Sequence, residues 1–307
     1  LDRDLLSVVE ARKYDLPGVF VKVRPRRFYI HQSSAHAIGY LGEISVKELK
    51  SDKITDVKSG DDVGKSGIEK VYEQELRGVR GGQQVEVNSK GQVVRVLETV
   101  NASPGYNIFL TINLQLQKKT EELLQGKVGA AVAMNPSTGE ILALASSPTF
   151  NQNDFIGGIS HIKWDALISN NNRPMSNKVI QGEYPPGSTY KIVTAMAALE
   201  EGIVDESTKL FCGGKLTLGN RDFRCWNWKT GGHGSLNVVD ALSESCDVFF
   251  YQVAQKLGVD KLAWYARASG LGYRTDISLD HEADGLVPTA AWKRQTKGVP
   301  WMTGETL

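Results

Sequence analysis

Tyr184-Pro185-Pro186-Gly187-Ser188-Thr189-Tyr190-Lys191 runs directly into Ile192-Val193-Thr194-Ala195-Met196-Ala197-Ala198-Leu199, and this junction decides the fold. Two prolines and a glycine stop whatever precedes them, and the residues beyond are good helix formers without a polar stripe. This pattern predicts a buried helix opening on Ser188. A helix that is apolar all round lies inside a domain, so Ser188 and Lys191, three positions apart on one face, project from a rigid base. That arrangement suits a nucleophile and its base. An isolated S-x-x-K is a weak signal, because serine is a common N-cap and a first-turn lysine is commonly solvated. Ser160-His161-Ile162-Lys163 spells the same pattern amid Gly157-Gly158 and Asn170-Asn171-Asn172. Its helix would be short and amphipathic, so Ser160 reads as a surface cap and Ser188 as the site.

With 307 residues, 41% of them hydrophobic, the chain can bury a substantial core and divides into two domains. Its 36 basic and 35 acidic residues leave a net charge of +1, which argues against nucleic acid or an anionic membrane as the main partner. The densest basic stretch, Arg24-Pro25-Arg26-Arg27, reads as a solvated loop or strand edge. Leu1-Asp2-Arg3-Asp4 lacks the charged and apolar regions of a signal peptide, and no apolar run is long enough to span a bilayer. The chain starts without Met and stops at Thr303-Gly304-Glu305-Thr306-Leu307 with no closing element. The expectation is a piece of a longer protein from which a membrane anchor is missing.

Read in order, Leu1 to Tyr14 forms an amphipathic helix stopped by Pro17-Gly18, and Val19-Phe20-Val21-Lys22-Val23 a strand. His36, with no acid or nucleophile placed near it in sequence, reads as structural. Gly60 to Ser66 resembles a phosphate-binding loop but is one residue short of G-x-x-x-x-G-K-[ST]. Ser66-Gly67-Ile68-Glu69 is better read as a capping box opening a helix through Leu76 that Gly78 ends. Gln84 to Asn88 and Gln92 to Leu97 flank Ser89-Lys90-Gly91 as a hairpin. Asn101-Ala102-Ser103-Pro104-Gly105 then marks a boundary between domains 1–105 and 106–307. Beyond it Tyr106, Ile108, Leu110 and Ile112 alternate as a strand, Asn113 caps a helix through Leu124, and Val128 to Met134 pairs antiparallel with Ile141 to Ala145. Helices and an antiparallel sheet in this order predict an α+β domain.

A serine nucleophile needs a base, and a lysine serves if burial or a nearby positive charge leaves it neutral. Downstream, Ser243-Glu244-Ser245-Cys246-Asp247 precedes the aromatic helix Val248 to Ala254, so Ser245 and Asp247 offer a second hydroxyl and a polar side chain. On these residues the sequence resembles the penicillin-binding proteins, specifically the monofunctional class B, PBP2-like transpeptidases of rod-shape elongation. Their motifs are S-x-x-K, S-x-N or S-x-D, and K-[ST]-G. Ser188 to Lys191 matches the first and Ser245-Cys246-Asp247 the second. Arg26-Arg27-Phe28-Tyr29, Ala35 to Tyr40 and Gly67 to Glu73 look like the family's N-terminal pedestal or dimerisation domain. Leu110 to Gln117 and Asn135 to Ala143 look like the opening of its transpeptidase domain. No K-[ST]-G occurs after Ser245, and Met302-Thr303-Gly304 lacks the lysine. The chain is therefore expected to stop midway through that domain, incomplete at its C-terminal end.

The resemblance implies an antiparallel sheet with helices on both sides and a serine acyl-enzyme that cross-links peptidoglycan stem peptides during elongation. Lys191 would take the Ser188 proton, Ser245 would relay one, and Asp247 would position substrate. It implies acylation of Ser188 by β-lactams, no cofactor for catalysis, and a periplasmic location with an inner-membrane anchor. Its partners would be a membrane glycosyltransferase and elongation-complex proteins. A D,D-carboxypeptidase or β-lactamase on the same scaffold, or a non-catalytic penicillin-sensing module, are the alternatives.

The three cysteines, Cys212, Cys225 and Cys246, with His233 have the composition of a closed Cys₃His zinc centre. The intervals of twelve, seven and twelve residues are not those of a short zinc knuckle. One disulfide plus a free thiol, or three buried thiols, are open as well, and Asp222 is a possible substitute ligand. Trp226 and Trp228 read as packing residues. His281 with Asp280, Glu282 and Asp284 does not make a metal set.

Overall fold

The structure is a computed structural model that describes residues 3–12, 15, 16, 19, 21, 26–51, 55–89 and 93–307. The strand expected from Val19 to Val23, the stop at Pro17-Gly18, Arg24-Pro25 and the turn residues Lys90-Gly91 fall wholly or mainly outside the described residues. Contacts group the chain into two compact units, Leu1–Gln181 with Ser278–His281, and Gly182–Ile277 with Glu282–Leu307. This grouping puts residues 106–181 with the segment that precedes them. All the sheets formed by described residues are two-stranded and antiparallel.

In the first unit, Arg3–Ala11 is helical and buries none of its side chains. Gly82–Val87 and Val93–Val100 form the expected hairpin, pairing Val85 with Val96 and Glu86 with Arg95. The Gly60 to Ser66 stretch is not a phosphate loop. Asp62–Gly64 is a strand paired with Leu41–Glu43. The capping box at Ser66 does not form, and the helix breaks at Tyr72 into Gly67–Val71 and Glu73–Arg77. Glu69 is drawn away from Ser66 by Arg27 at 2.9 Å and the Tyr29 hydroxyl at 3.3 Å. Glu73 meanwhile accepts the Gly64 N–H at 2.6 Å. Burial of its carboxyl outweighs the Arg27 charge and raises the Glu69 pKa.

The alternation of Tyr106 to Ile112 does not make a strand, since no partner strand pairs with it among the described residues. Periodicity supplies a face, but a strand also needs a neighbour to take its backbone hydrogen bonds. Asn113 caps Leu114–Leu124 as expected, its side chain accepting from the Gln115 and Leu116 N–H groups. Gly129–Met134 pairs with Ile141–Ser147, and Gln117, fully buried, clips that hairpin by exchanging hydrogen bonds with Leu144. His36 is structural. It is buried, holds the Pro174 carbonyl at 2.7 Å and meets Phe150 edge-on.

The second unit is built around Lys191–Glu200, Asp247–Leu257 and Val259–Ala268. Ala195, Ala197 and Ala198 lie on the buried side of the first, where small side chains let it approach Phe249, Val253 and Leu262 closely. The helix is not buried all round, however. Ile192, Met196 and Leu199, spaced along one stripe, are 66%, 39% and 41% exposed.

Candidate active site and metal centre

Ser188 does not cap a helix. Gly187–Tyr190 is a 3-10 turn, and the α-helix begins at Lys191. Gly187 takes a φ of 56°, a conformation that glycine adopts without a Cβ penalty. Thr189 anchors the turn by donating to the Pro186 carbonyl at 2.6 Å. The exposed Ser188 hydroxyl makes no hydrogen bond among the described residues, and its backbone carbonyl accepts the Lys191 N–H. Ser160, by contrast, caps His161–Ile168 by accepting the Lys163 N–H at 3.4 Å, as the sequence reading expected.

Lys191 is 12% exposed, and its ammonium reaches three acceptors. These are the Ser245 carbonyl at 2.8 Å, the Ser245 hydroxyl at 3.1 Å and Asp247 Oδ1 at 2.6 Å. The Phe250 ring lies 5.8 Å away and walls one side. Of the two conditions named for the lysine, burial or a nearby positive charge, Lys191 meets the first, while its charged neighbour is the carboxylate of Asp247. Asp247 opens the Asp247–Leu257 helix, where a negative side chain complements the helix dipole. Ser245 turns the chain between Val238–Ser243 and that helix with a φ of 48°, strain that a non-glycine residue sustains only when its surroundings hold it. The structure thus brings Lys191, Ser245 and Asp247 into one hydrogen-bonded group, with Ser188 on the adjoining turn.

Sequence reasoning missed one member of this group. The Trp226 backbone N–H donates to Asp247 Oδ2 at 3.2 Å, and its indole N–H donates to the Glu244 carbonyl at 2.9 Å. The adjacent Cys225 was the available signal, because if Cys225 and Cys246 share one candidate metal site, their neighbours Trp226 and Asp247 must also lie close together.

The four expected metal ligands converge. One side-chain atom from each of Cys212, Cys225, His233 and Cys246 falls within 4.8 Å of the others. His233 Nδ1 stands 3.7 Å from Cys212 Sγ and 3.4 Å from Cys225 Sγ, while its Nε2 is buried without a partner. Bond lengths of roughly 2.0–2.3 Å at a tetrahedral zinc require donor separations of about 3.5–3.8 Å; the two from His233 Nδ1 are close to this and the whole set lies within 4.8 Å, so the donor types and their grouping suit that ion. All three cysteines are unpaired and buried. Burial, and then the neighbouring Cys212 and Cys225, pushes the Cys246 thiol up to about 12. A buried set of thiols and an imidazole gains what it lacks from a divalent cation, which stabilises the thiolates. Local geometry explains the convergence. Gly234–Leu236 pairs with Leu210–Cys212, and Gly232 has a φ of 86° against the Cys212 carbonyl. Asp222 is no substitute ligand, being held by Lys215 and Thr217, each at 2.7 Å.

Residues 129–302 match the family described as the penicillin binding protein transpeptidase domain, and residues 1–110 the penicillin-binding protein dimerisation domain. Among curated proteins, the peptidoglycan D,D-transpeptidase MrdA of Escherichia coli K12 is 41% identical over 300 residues, 96% of this chain and 47% of that protein. Among solved structures, PBP2 in its complex with MreC from Helicobacter pylori superposes with a TM-score of 0.90 at 32% identity, covering 100% of this chain and 57% of that one. Pseudomonas aeruginosa PBP2, solved in complex with WCK 5153, gives a TM-score of 0.75 at 35% identity over 93% of this chain and 60% of that one. The chain spans about half the length of the curated relatives it matches.

Proposed function

The chain belongs to the penicillin-binding proteins of the MrdA type, and on that footing we propose that the whole protein is a serine D,D-transpeptidase that cross-links peptidoglycan stem peptides during cell elongation. The observation that carries the reading is the Lys191–Ser245–Asp247 group beside an unencumbered Ser188 hydroxyl.

In the proposed reaction Lys191 acts as the free amine, its ammonium having passed one proton to solvent as the peptide binds. It takes the proton of Ser188 as Oγ attacks the penultimate D-Ala carbonyl of a stem peptide. The carbonyl becomes a tetrahedral oxyanion, to which the Ser188 backbone N–H donates. The C–N bond then breaks, and the proton returns from Lys191 through the Ser245 hydroxyl to the departing D-Ala amine. An amine of a second stem peptide attacks the resulting ester and loses its proton by the reverse path, restoring Ser188. Asp247 holds Lys191 on one oxygen and is itself held by Trp226 on the other. The sequence contains no K-[ST]-G after Ser245, and no step is assigned to one. β-Lactams resemble the D-Ala-D-Ala end and would leave Ser188 acylated.

Cys212, Cys225, His233 and Cys246 are proposed to hold a structural zinc, which when bound would tie the strands before Trp226 to the loop carrying Ser245 and Asp247. Catalysis itself needs no cofactor in this scheme. The likeness to PBP2 in complex with MreC supports elongation-complex proteins as partners, and a membrane glycosyltransferase is proposed beside them. No described helix is long and apolar enough to cross a membrane. The proposed location is the periplasm, with an inner-membrane anchor supplied elsewhere in the whole protein.

A fluorescent penicillin tests the catalytic reading on the full-length protein. Label lost in Ser188→Ala and retained in Ser160→Ala is the expected result; label indifferent to Ser188→Ala sinks it. Analysis of peptidoglycan products then separates cross-linking from hydrolysis. Elemental analysis should give close to one zinc per chain.

A further inference from the structure

The turn that carries Ser245 is the end of a helix. Ser245 N–H donates to the Leu242 carbonyl at 3.1 Å and Cys246 N–H to the Ala241 carbonyl at 2.9 Å, with Ser245 left-handed between them. This is a Schellman ending of the Val238–Ser243 helix, and it puts a serine where glycine is usual. The carbonyls of Glu244 and Ser245 gain no partner from that ending. Lys191 takes the Ser245 carbonyl at 2.8 Å, and the Trp226 indole N–H takes that of Glu244 at 2.9 Å.

Trp226 holds the same turn at a second point. Its backbone N–H donates to Asp247 Oδ2 at 3.2 Å, so one residue grips the chain on both sides of Ser245. Trp226 is itself held in place. The preceding Cys225 N–H donates to the Gly214 carbonyl at 2.9 Å, where the hairpin of Lys215–Leu218 with Arg221–Arg224 ends. The His233 ring stands edge-on to the indole, with 5.1 Å between centroids. Trp226 is 63% exposed, so its ring adds little apolar burial and its polar contacts are what it contributes. A non-glycine residue keeps a φ of 48° only where its surroundings over-determine it, and the two-point grip supplies that constraint.

We propose that Trp226 is a positioning residue for acyl transfer, its two N–H groups strapping the turn so that the Ser245 hydroxyl stays 3.1 Å from Lys191 Nζ. The inference rests on the transpeptidase reading and gives the indole a role that acts through Ser245. A relaying hydroxyl has to be held within about 0.5 Å of its productive place. Loosening the strap therefore lowers the rate of acylation and leaves the affinity of the preceding complex unchanged.

The test uses full-length, zinc-loaded protein. Its first arm reads the strap itself, by hydrogen exchange at isotope-labelled indole N–H groups. Trp226 and Trp264 are equally exposed at 63%, but of the two only the Trp226 indole has an acceptor among the described residues. Its N–H should exchange about tenfold more slowly. The second arm replaces Trp226 with Phe, and separately with benzothienylalanine, in which sulfur stands where the N–H was and the ring shape is kept. Stopped-flow acylation of Ser188 by a penicillin should slow by about three- to tenfold in both, at an unchanged dissociation constant for the initial complex. In a Ser245→Gly background the same replacements should cost nothing further, because the hydroxyl they position is gone. Exchange as fast at Trp226 as at Trp264, an unchanged acylation rate, or a loss that persists in full in Ser245→Gly overturns the strap. A wild type that penicillin does not label at Ser188 is a separate result, which removes the catalytic reading and the role of Trp226 with it, whatever the indole exchange.

Discussion

Ser245 carries two burdens at one position. Its hydroxyl and its carbonyl both accept from Lys191, and its backbone holds a left-handed φ of 48°. The strain and the chemistry separate in Ser245→Gly. Glycine takes that conformation without penalty, so the melting temperature should hold or rise, by the equivalent of about 1 kcal/mol. The carbonyl acceptor survives, but the hydroxyl proposed to relay the proton is gone, and penicillin acylation of Ser188 should slow by about 10²-fold. Differential scanning fluorimetry and stopped-flow acylation check the two halves. A variant that acylates at the wild-type rate removes Ser245 from the proton path. The motif S-x-x-K was readable as letters, but its resting partners were not. Nothing in Ser188 to Lys191 says that the ammonium turns to Asp247, because that contact spans 56 residues of sequence.

At the scale of elements, local signals held where a cap acts on its own helix and failed where a side chain had a better distant partner. Asn113 and Ser160 cap their helices as read. Ser66 does not, because Glu69 is more strongly engaged by Arg27 and Tyr29 than by a neighbouring backbone N–H. The strand pairing beside the metal centre allows a sharp test. A Cβ at Gly232 would sit 2.2 Å from the Cys212 carbonyl and 2.2 Å from the Gly214 nitrogen, both backbone atoms, at a φ of 86°. Gly232→Ala should therefore displace His233 or Cys212, cut zinc content well below one per chain and cost several kcal/mol, on the order of 3. Zinc stoichiometry and urea unfolding measure both; full zinc occupancy in this variant would contradict the assigned ligand geometry. Exposed Gly219, whose Cβ would meet nothing, serves as the control.

The two units of the molecule answer to different perturbations. His36, in the first, is buried and its pKa is lowered to about 4, chiefly by burial and further by Lys178, with the Pro174 carbonyl and Glu121 opposing. A histidine whose folded pKa lies below its unfolded value of about 6.5 favours the unfolded, protonated chain as pH falls. Stability should drop between pH 6.5 and 4 by about 3 kcal/mol and then level off for this group. Glu69 works in the opposite sense at the lower end, since its raised pKa lets the folded unit take up a proton more readily. His36→Gln should flatten the acid loss. A metal chelator at neutral pH should instead destabilise the second unit, where Cys212, Cys225 and Cys246 are part of the core that also contains Phe249 and Val253. Two melting transitions that respond separately to acid and chelator are the expected outcome; a single transition moved equally by both would show that the units do not unfold independently.

What the sequence determined by itself was the chemistry available. The S-x-x-K spelling at Ser188 and Lys191, the second motif at Ser245 and Asp247, and the Cys₃His composition all follow from residue types and local spacing. So do the caps at Asn113 and Ser160, where each interaction closes within one turn. Tertiary structure decided everything that depends on distant partners. It put Asp247 on Lys191 and Trp226 on Asp247, broke the helix at Tyr72, and left 106–112 without a strand to pair with. It also brought the side-chain atoms of four candidate ligands spread over 35 residues within 4.8 Å of one another. Such contacts lie beyond a sequence pattern because their free energy is set by burial and by the competition among partners, and both exist only once the chain has folded.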